Sequence, residues 1–374
     1  MKKVKFSAVL FIAVFVTILA AGCSDDNGAS NNKKSGVNIG IVLPTKDEPR
    51  WVQDESRFQD ALKDSDYTTE ILFSQGSSAK EKENVETLIS KGIDVLIIAP
   101  HDAAAAGAAV EEAKRDDIKV ISYDRLITDT DAVDYYVTFD SIAVGEAQGQ
   151  YLIDHAGEDS GIPLYLYAGA ASDNNAFLFF EGAWKVLQPK IADGTFLVAN
   201  SSVAEDLKEK TELTRDELGK VLGQITTNWD PNEAKNKAQT NLTAADKDLK
   251  GDVAILAPND GTSRSIADVF AGDPDISDYV ITGQDSEKAS IQYIIDGKQS
   301  MTVFKDVRSL VTDAMGMAVD LLDEKTPETT GTYDNGSLEV PAKQTEVIVV
   351  DQDNVKSELI DSGYYEESEF TGLE

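Results

Sequence analysis

The sequence predicts an α/β protein made of two doubly wound parallel-sheet halves. Three observations predict it. From residue 37 onward, short apolar runs alternate with helix-period segments. The run "DVLIIAP" at 94–100 is apolar on both faces, as a strand in the middle of a parallel sheet is. The alternation then starts over near Ile142. Strands alternating with helices give βαβ units, whose crossovers cover both sheet faces. The 374 residues are enough for two cores, and no short-period repeat points to a solenoid.

In the first half, strands are expected at 37–43, 69–73, 95–99, 120–123 and 135–139, with helices at 51–63, 78–91 and 102–115. In the second, helix 143–155 leads to strand 163–167 and helix 176–191. A charged stretch at 199–222 lacks a strong apolar face and is expected to be a solvated surface loop. Then follow helix 231–249, strand 253–257, helix 262–270, strand 279–282, helix 288–296, strand 300–304, helix 308–324 and a final strand at 345–350.

Ahead of this pattern, Lys2, Lys3 and Lys5 precede an apolar run from Ala8 to Ala21. A basic region, an apolar region and small residues make an export signal over 1–22. Leu19-Ala20-Ala21-Gly22-Cys23 resembles the lipobox of bacterial lipoproteins, with Ala20 where Leu is more usual. That resemblance implies lipidation at Cys23 and anchoring to the cell membrane, outside the cytoplasm. The alternative, an ordinary secretory signal with a chance Cys, is disfavoured because Cys23 is the chain's single cysteine. The polar stretch "SDDNGASNNKKSG" then reads as a flexible tether over 23–36.

The net charge is −33, and three of the 34 basic residues lie in the leader. So acidic a surface repels nucleic acid and anionic head groups. With His101 and His155 as its only histidines, the chain is not expected to hold a metal, and no cofactor is implied. No GxSxG elbow, HExxH helix or P-loop appears, so an enzyme is not expected.

Ligands of open parallel sheets bind beyond the carboxyl ends of the strands. The residues that follow the expected strands include Arg50 and Trp51, Asp124 and Arg125, Asp173 to Asn175, Trp229, Asn259, Asp285 and Lys305. Carboxylates and amides take vicinal hydroxyls in pairs, Arg and Lys donate to hydroxyl and ring oxygens, and indoles offer flat apolar faces. Such a set suits a monosaccharide. Polar residues after strands also serve as caps and turn formers, and Asp102, Asp140 and Asp260 are expected in that role. Trp184, inside a helix, is expected in the core.

Several long motifs stand in one order: "PTKDEPRW", "VISYDRLI", "DYYVTFD", "SDNNAFLFFEGAWKVLQP", "NWDPNEA", "APNDG", "ITGQDSE" and "MTVFKDVR". Through them the chain, from about 38 to 365, resembles the periplasmic sugar-binding proteins of ABC importers. The wording is similar to the xylose-binding members and more so to the multiple-sugar-binding receptors. The resemblance implies a type I periplasmic-binding-protein fold with a three-crossing hinge, the crossings near 139–142, 283–286 and 327–338. The lobes would be 37–140 plus 286–328 and 141–285 plus 329–374. It assigns sugar binding to Arg50, Trp51, Asp124, Arg125, Asp173, Asn175, Trp229, Asn259, Asp285 and Lys305, with Lys305 on the first lobe. Phe177 or Phe180 would be a further apolar wall or part of the core. The stretch 199–222 looks longer than in relatives.

The implied function is capture of an aldose (xylose, glucose, galactose or arabinose) by hinge closure, and its delivery to an ABC permease. The alternative is a sugar sensor docking on a chemoreceptor or sensor kinase. A monomer is implied.

Overall fold

The computed structural model describes residues 37–63, 67–157 and 160–373. The expected leader (1–22), the tether (23–36) and Cys23 lie outside the described residues.

Strand β1 (Ile39–Leu43) is wholly buried and feeds α1 (Pro49–Leu62). Pro49 takes the first helical turn, where its missing N–H costs no hydrogen bond. Then come β2 (Thr69–Phe73), α2 (Ser78–Ser90), β3 (Val95–Ile98), α3 (Gly107–Arg115), β4 (Lys119–Tyr123) and β5 (Tyr135–Phe139). Helix α3 starts five residues later than expected, because Asp102 accepts from the Ala104 and Ala105 N–H groups in a preceding turn.

The chain then builds α4 (Ser141–His155), β6 (Ile162–Leu166), α5 (Asn174–Ala192), β7 (Phe196–Val198), α6 (Ser202–Asp206), α7 (Arg215–Ile225), α8 (Pro231–Ala244), β8 (Gly251–Leu256), α9 (Asp260–Ala271), β9 (Ile276–Ile281), α10 (Lys288–Ile295) and β10 (Met301–Phe304). It ends in α11 (Val307–Leu322), β11 (Gly331–Asp334), β12 (Glu339–Thr345) and β13 (Ile348–Asp351).

The first sheet has the order β11-β12-β5-β4-β3-β1-β2 and is parallel except for the β11–β12 hairpin. Its register sets Ile41 between Ile71 and Ile97. The second sheet is β7-β6-β8-β9. Strand β10 continues it through a parallel bridge between Gln284 and Val303, and β13 pairs antiparallel with β10.

Each sheet has an apolar core on both faces: α1 and α11 against α2 and α3 in the first, α4, α5 and α7 against α8 and α9 in the second. A fifth core joins α10, β10 and β13 to Leu359, Tyr364 and Phe370 of the C-terminal segment. Val347, in the last crossing, touches a core of each lobe. The described residues form one compact unit.

Hydrogen bonding corrects two expected lobe boundaries. Helix α10 and β10 belong to the second lobe, so 286–304 does not join the first; the chain crosses after Phe304, not at 283–286. Strand β12 pairs with β5, so 329–345 belongs to the first lobe, and the last crossing lies at 346–347, not at 327–338. The single strand expected at 345–350 straddles that crossing and is therefore two strands in two sheets. The other crossing joins β5 to α4.

The charged stretch 199–222 is not a loop. It forms α6 and α7, and α7 buries Leu218, Val221, Leu222 and Ile225 against α5. Trp184 is core, and its N–H donates to the Lys210 carbonyl, tying that stretch down.

Candidate functional site

The carboxyl ends of the two sheets face each other. Glu48, Arg50 and Trp51 come from the turn after β1 and the start of α1. Asp124 and Arg125 follow β4, and Asp124 is left-handed (φ 60°). From the second lobe, Asp173 caps α5 by accepting from the Asn175 N–H (2.9 Å). Asn259 caps α9. Gln284 and Asp285 follow β9, and Trp229 lies in the turn between α7 and α8. Lys305 follows β10, so it enters from the second sheet at a crossing and not from the first lobe.

All ten residues named from the sequence line one cavity, together with Glu48, Phe179 and Gln284. They are deeply buried: Arg50 is 3% exposed, Asp124 5% and Trp229 8%.

Sequence reasoning missed Phe179, which lies one helical turn after Asn175 on the same face of α5; that i, i+4 spacing was the available signal. Phe177 and Phe180 do not line the cavity. Phe177 lies under the Arg215 guanidinium (3.3 Å), and Phe180 packs against Trp184. Glu48 and Gln284 carried no signal beyond adjacency to Arg50 and Asp285.

A charged network joins the walls. Arg50 forks onto Asp54 (2.7 and 3.3 Å) and reaches Asp124 (2.9 Å). Tyr123 also donates to Asp54. Arg125 pairs with Asp173 of the other lobe (2.9 Å) and more loosely with Glu48 (3.3 Å). Lys305 pairs with Asp285 (2.8 Å), which Arg50 approaches at 3.5 Å. Asn175 donates to the Asp124 carbonyl (2.9 Å) and Ala103 N–H to the Ser172 carbonyl (2.9 Å), two further ties between lobes. The Trp51 ring lies within 5.3 Å of the Arg50 guanidinium and 5.0 Å of Arg125. Phe179 meets Trp229 edge to face.

Burial alone would raise Asp124, but Arg50, Lys305 and Arg125 outweigh it and hold its carboxyl below the usual range. Burial raises Asp173 and Glu48 despite Arg125. The site thus holds fixed cations, carboxylates and amides in a buried setting, where each hydrogen bond to a ligand counts for more than in bulk water. The buried Trp229 N–H and Gln284 Oε1 have no protein partner, which leaves a donor and an acceptor at the wall.

Asp140 caps α4 as expected, but Asp260 does more. It is fully buried and accepts from the Glu287 N–H and from Gln299 Nε2 (both 2.8 Å), fixing the loop that carries Asp285. Burial, with Glu287 and Asp285 nearby, raises its carboxyl well above the usual range.

Two sheets joined by three crossings, with a polar cavity between their strand ends, define a two-lobed binding protein. Residues 39–326 match the periplasmic binding protein domain, and the chain belongs to that family. It is 36% identical over 340 residues to the multiple sugar-binding periplasmic protein of Azospirillum brasilense, covering 89% of this chain and 90% of that protein. It is 30% identical over 334 residues to the D-xylose-binding periplasmic protein of Escherichia coli, covering 89% and 92%. A carbohydrate transporter solute binding protein from Chloroflexus aurantiacus, solved in complex with D-glucose, is 68% identical with a TM-score of 0.89, covering 90% of this chain and 99% of that one. The resemblance read from the motifs therefore holds.

Proposed function

We propose that this protein captures a single aldose between its lobes and hands it to an ABC permease. D-glucose is the first ligand to test. The observation that carries this reading is the polar cavity between the lobes, whose walls match the hydrogen-bonding needs of a pyranose. The 68% identical relative with bound D-glucose supports it. Arg50, Trp51, Asp124 and Arg125 act from the first lobe. Asp173, Asn175, Trp229, Asn259, Asp285 and Lys305 act from the second and its crossing. A ligand touching both sets stabilises the closed form by the difference between its contacts in the two states. No chemistry on the sugar is part of this role.

The export signal and Cys23 support a lipoprotein form. The lipid would hold the receptor beside its permease and raise its effective concentration there. We read the protein as a monomer.

Calorimetric titration of residues 36–374 against pentoses and hexoses tests the reading. Tight binding of glucose or a related aldose is expected, weakened about 10- to 100-fold by Asp124→Ala or Asn259→Ala, since each strips a buried partner from a hydroxyl. Silence toward every aldose after unfolding and refolding, which removes carried-over ligand, would refute it.

A further inference from the structure

The two lobes also meet outside the cavity. Gln53 lies on α1, one turn beyond Arg50. Its amide is engaged on both atoms by the C-terminal segment: Tyr364 donates to Oε1 (3.1 Å), and Nε2 donates to the Tyr365 hydroxyl (3.0 Å). Tyr365 in turn donates to the Ser286 carbonyl (2.8 Å). Ser286 follows Asp285, and both have left-handed backbones, at φ 50° and 96°. Non-glycine residues hold such angles only where their surroundings enforce them.

The C-terminal segment is fastened to the second lobe. Tyr364 packs edge-on against Phe304 at 4.7 Å, and Lys288 of α10 pairs with Glu369 (2.8 Å). From there it reaches first-lobe cations: the Tyr364 ring lies 5.0 Å from the Arg308 guanidinium and 5.6 Å from Arg57, and Arg308 donates to the Ser362 carbonyl (3.1 Å). Gln53, Tyr364 and Tyr365 do not line the ligand cavity.

We propose that Tyr365, seated between Gln53 and the Ser286 carbonyl, is an interlobe latch that sets how firmly the closed form is held. It is a positioning residue for the binding reaction proposed above, and rests on that reading. It joins the helix that carries Arg50 to the loop that carries Asp285 without touching the ligand. Its contribution exists only when the lobes are together, so it scales the affinity for every ligand by one factor. Residues inside the cavity, by contrast, change the ranking of sugars.

The test uses Tyr365→Phe, which keeps the ring, and Gln53→Ala. Titration with D-glucose and D-xylose is expected to show each variant binding both sugars about 2- to 10-fold more weakly, by a common factor, as for one or two lost hydrogen bonds. Dissociation should be faster. Unchanged affinities, or a change for one sugar only, would overturn the latch. If the parent protein binds no aldose, the function reading fails, and the latch is judged separately. Spin labels at Lys82→Cys and Lys220→Cys, in a chain whose single native cysteine is Cys23, then report the interlobe distance. A longer distance in Tyr365→Phe supports the latch, and identical distributions overturn it.

Discussion

Trp229 shows how a single position couples backbone conformation to the cavity wall. It sits at φ 61°, a conformation that side chains with a β-carbon rarely adopt, and its ring covers Gly169. A β-carbon at Gly169 would lie 2.0 Å from that ring. Gly169→Ala is therefore expected to push the indole out of place and weaken aldose binding on the order of tenfold, the worth of one aromatic contact. The unfolding midpoint should fall as well, through overpacking of the buried ring; unaltered affinity would show that the ring does not touch the ligand.

Glu81, in the first turn of α2, is a second residue-scale case. It is buried and accepts from the His101 N–H (2.7 Å). Burial outweighs that hydrogen bond and raises its pKa to about 7. The folded chain thus binds more protons than the unfolded one between roughly pH 4.3 and 7, and the stability contributed by Glu81 falls as pH rises through that window. Glu81→Gln removes the penalty. Relative to the parent, it should be more stable at pH 8 than at pH 5 by about 2.5 kcal/mol in urea unfolding. Equal offsets at the two pH values would contradict this.

Among elements, the α4–α5 pair bears most directly on the site. The helices touch backbone to backbone: a β-carbon at Gly145 would lie 1.9 Å from the Phe179 carbonyl, and one at Gly182 2.1 Å from the Ile142 carbonyl. This contact seats the face of α5 that carries Asn175 and Phe179. Gly145→Ala is expected to cost about 1–3 kcal/mol through overpacking. It should also shift Phe179, so that sugar affinity and unfolding midpoint fall together. A loss of stability with full affinity would mean that α5 moves without the cavity.

Elements also show where sequence reading succeeds. The βαβ alternation and the restart near Ile142 were legible because parallel strands are apolar on both faces. Helix α7 was legible in principle, since Leu218, Val221, Leu222 and Ile225 have helical spacing. Its charged neighbours, Asp216, Glu217 and Lys220, hid that stripe. Strands β11 and β12 are partly exposed and lack a clear alternation, so nothing local assigned them to a sheet. Which lobe β10 or β12 joins is a matter of long-range pairing, which no local pattern encodes.

For the whole molecule, the site was more legible than the lobes. Strand ends converge by topology, so residues just past them meet at the cavity whichever lobe they come from. That is why Lys305 lines the cavity despite arriving from the sheet opposite to the one expected. Phe179 escaped because it belongs to a helix face and not to a strand end. The network that results is one of interlobe pairs, Arg125 with Asp173 and Arg50 with Asp285, which only a closed arrangement brings together.

The central claim is that one aldose is held by both lobes at once. A crystal structure of residues 36–374 grown with D-glucose tests it most directly. The account predicts a single pyranose in the cavity between the strand ends, with hydroxyls on Asp124 or Arg125 of the first lobe and on Asn175, Asn259 or Asp285 of the second. A sugar bound to one lobe alone, or at another surface, would contradict it.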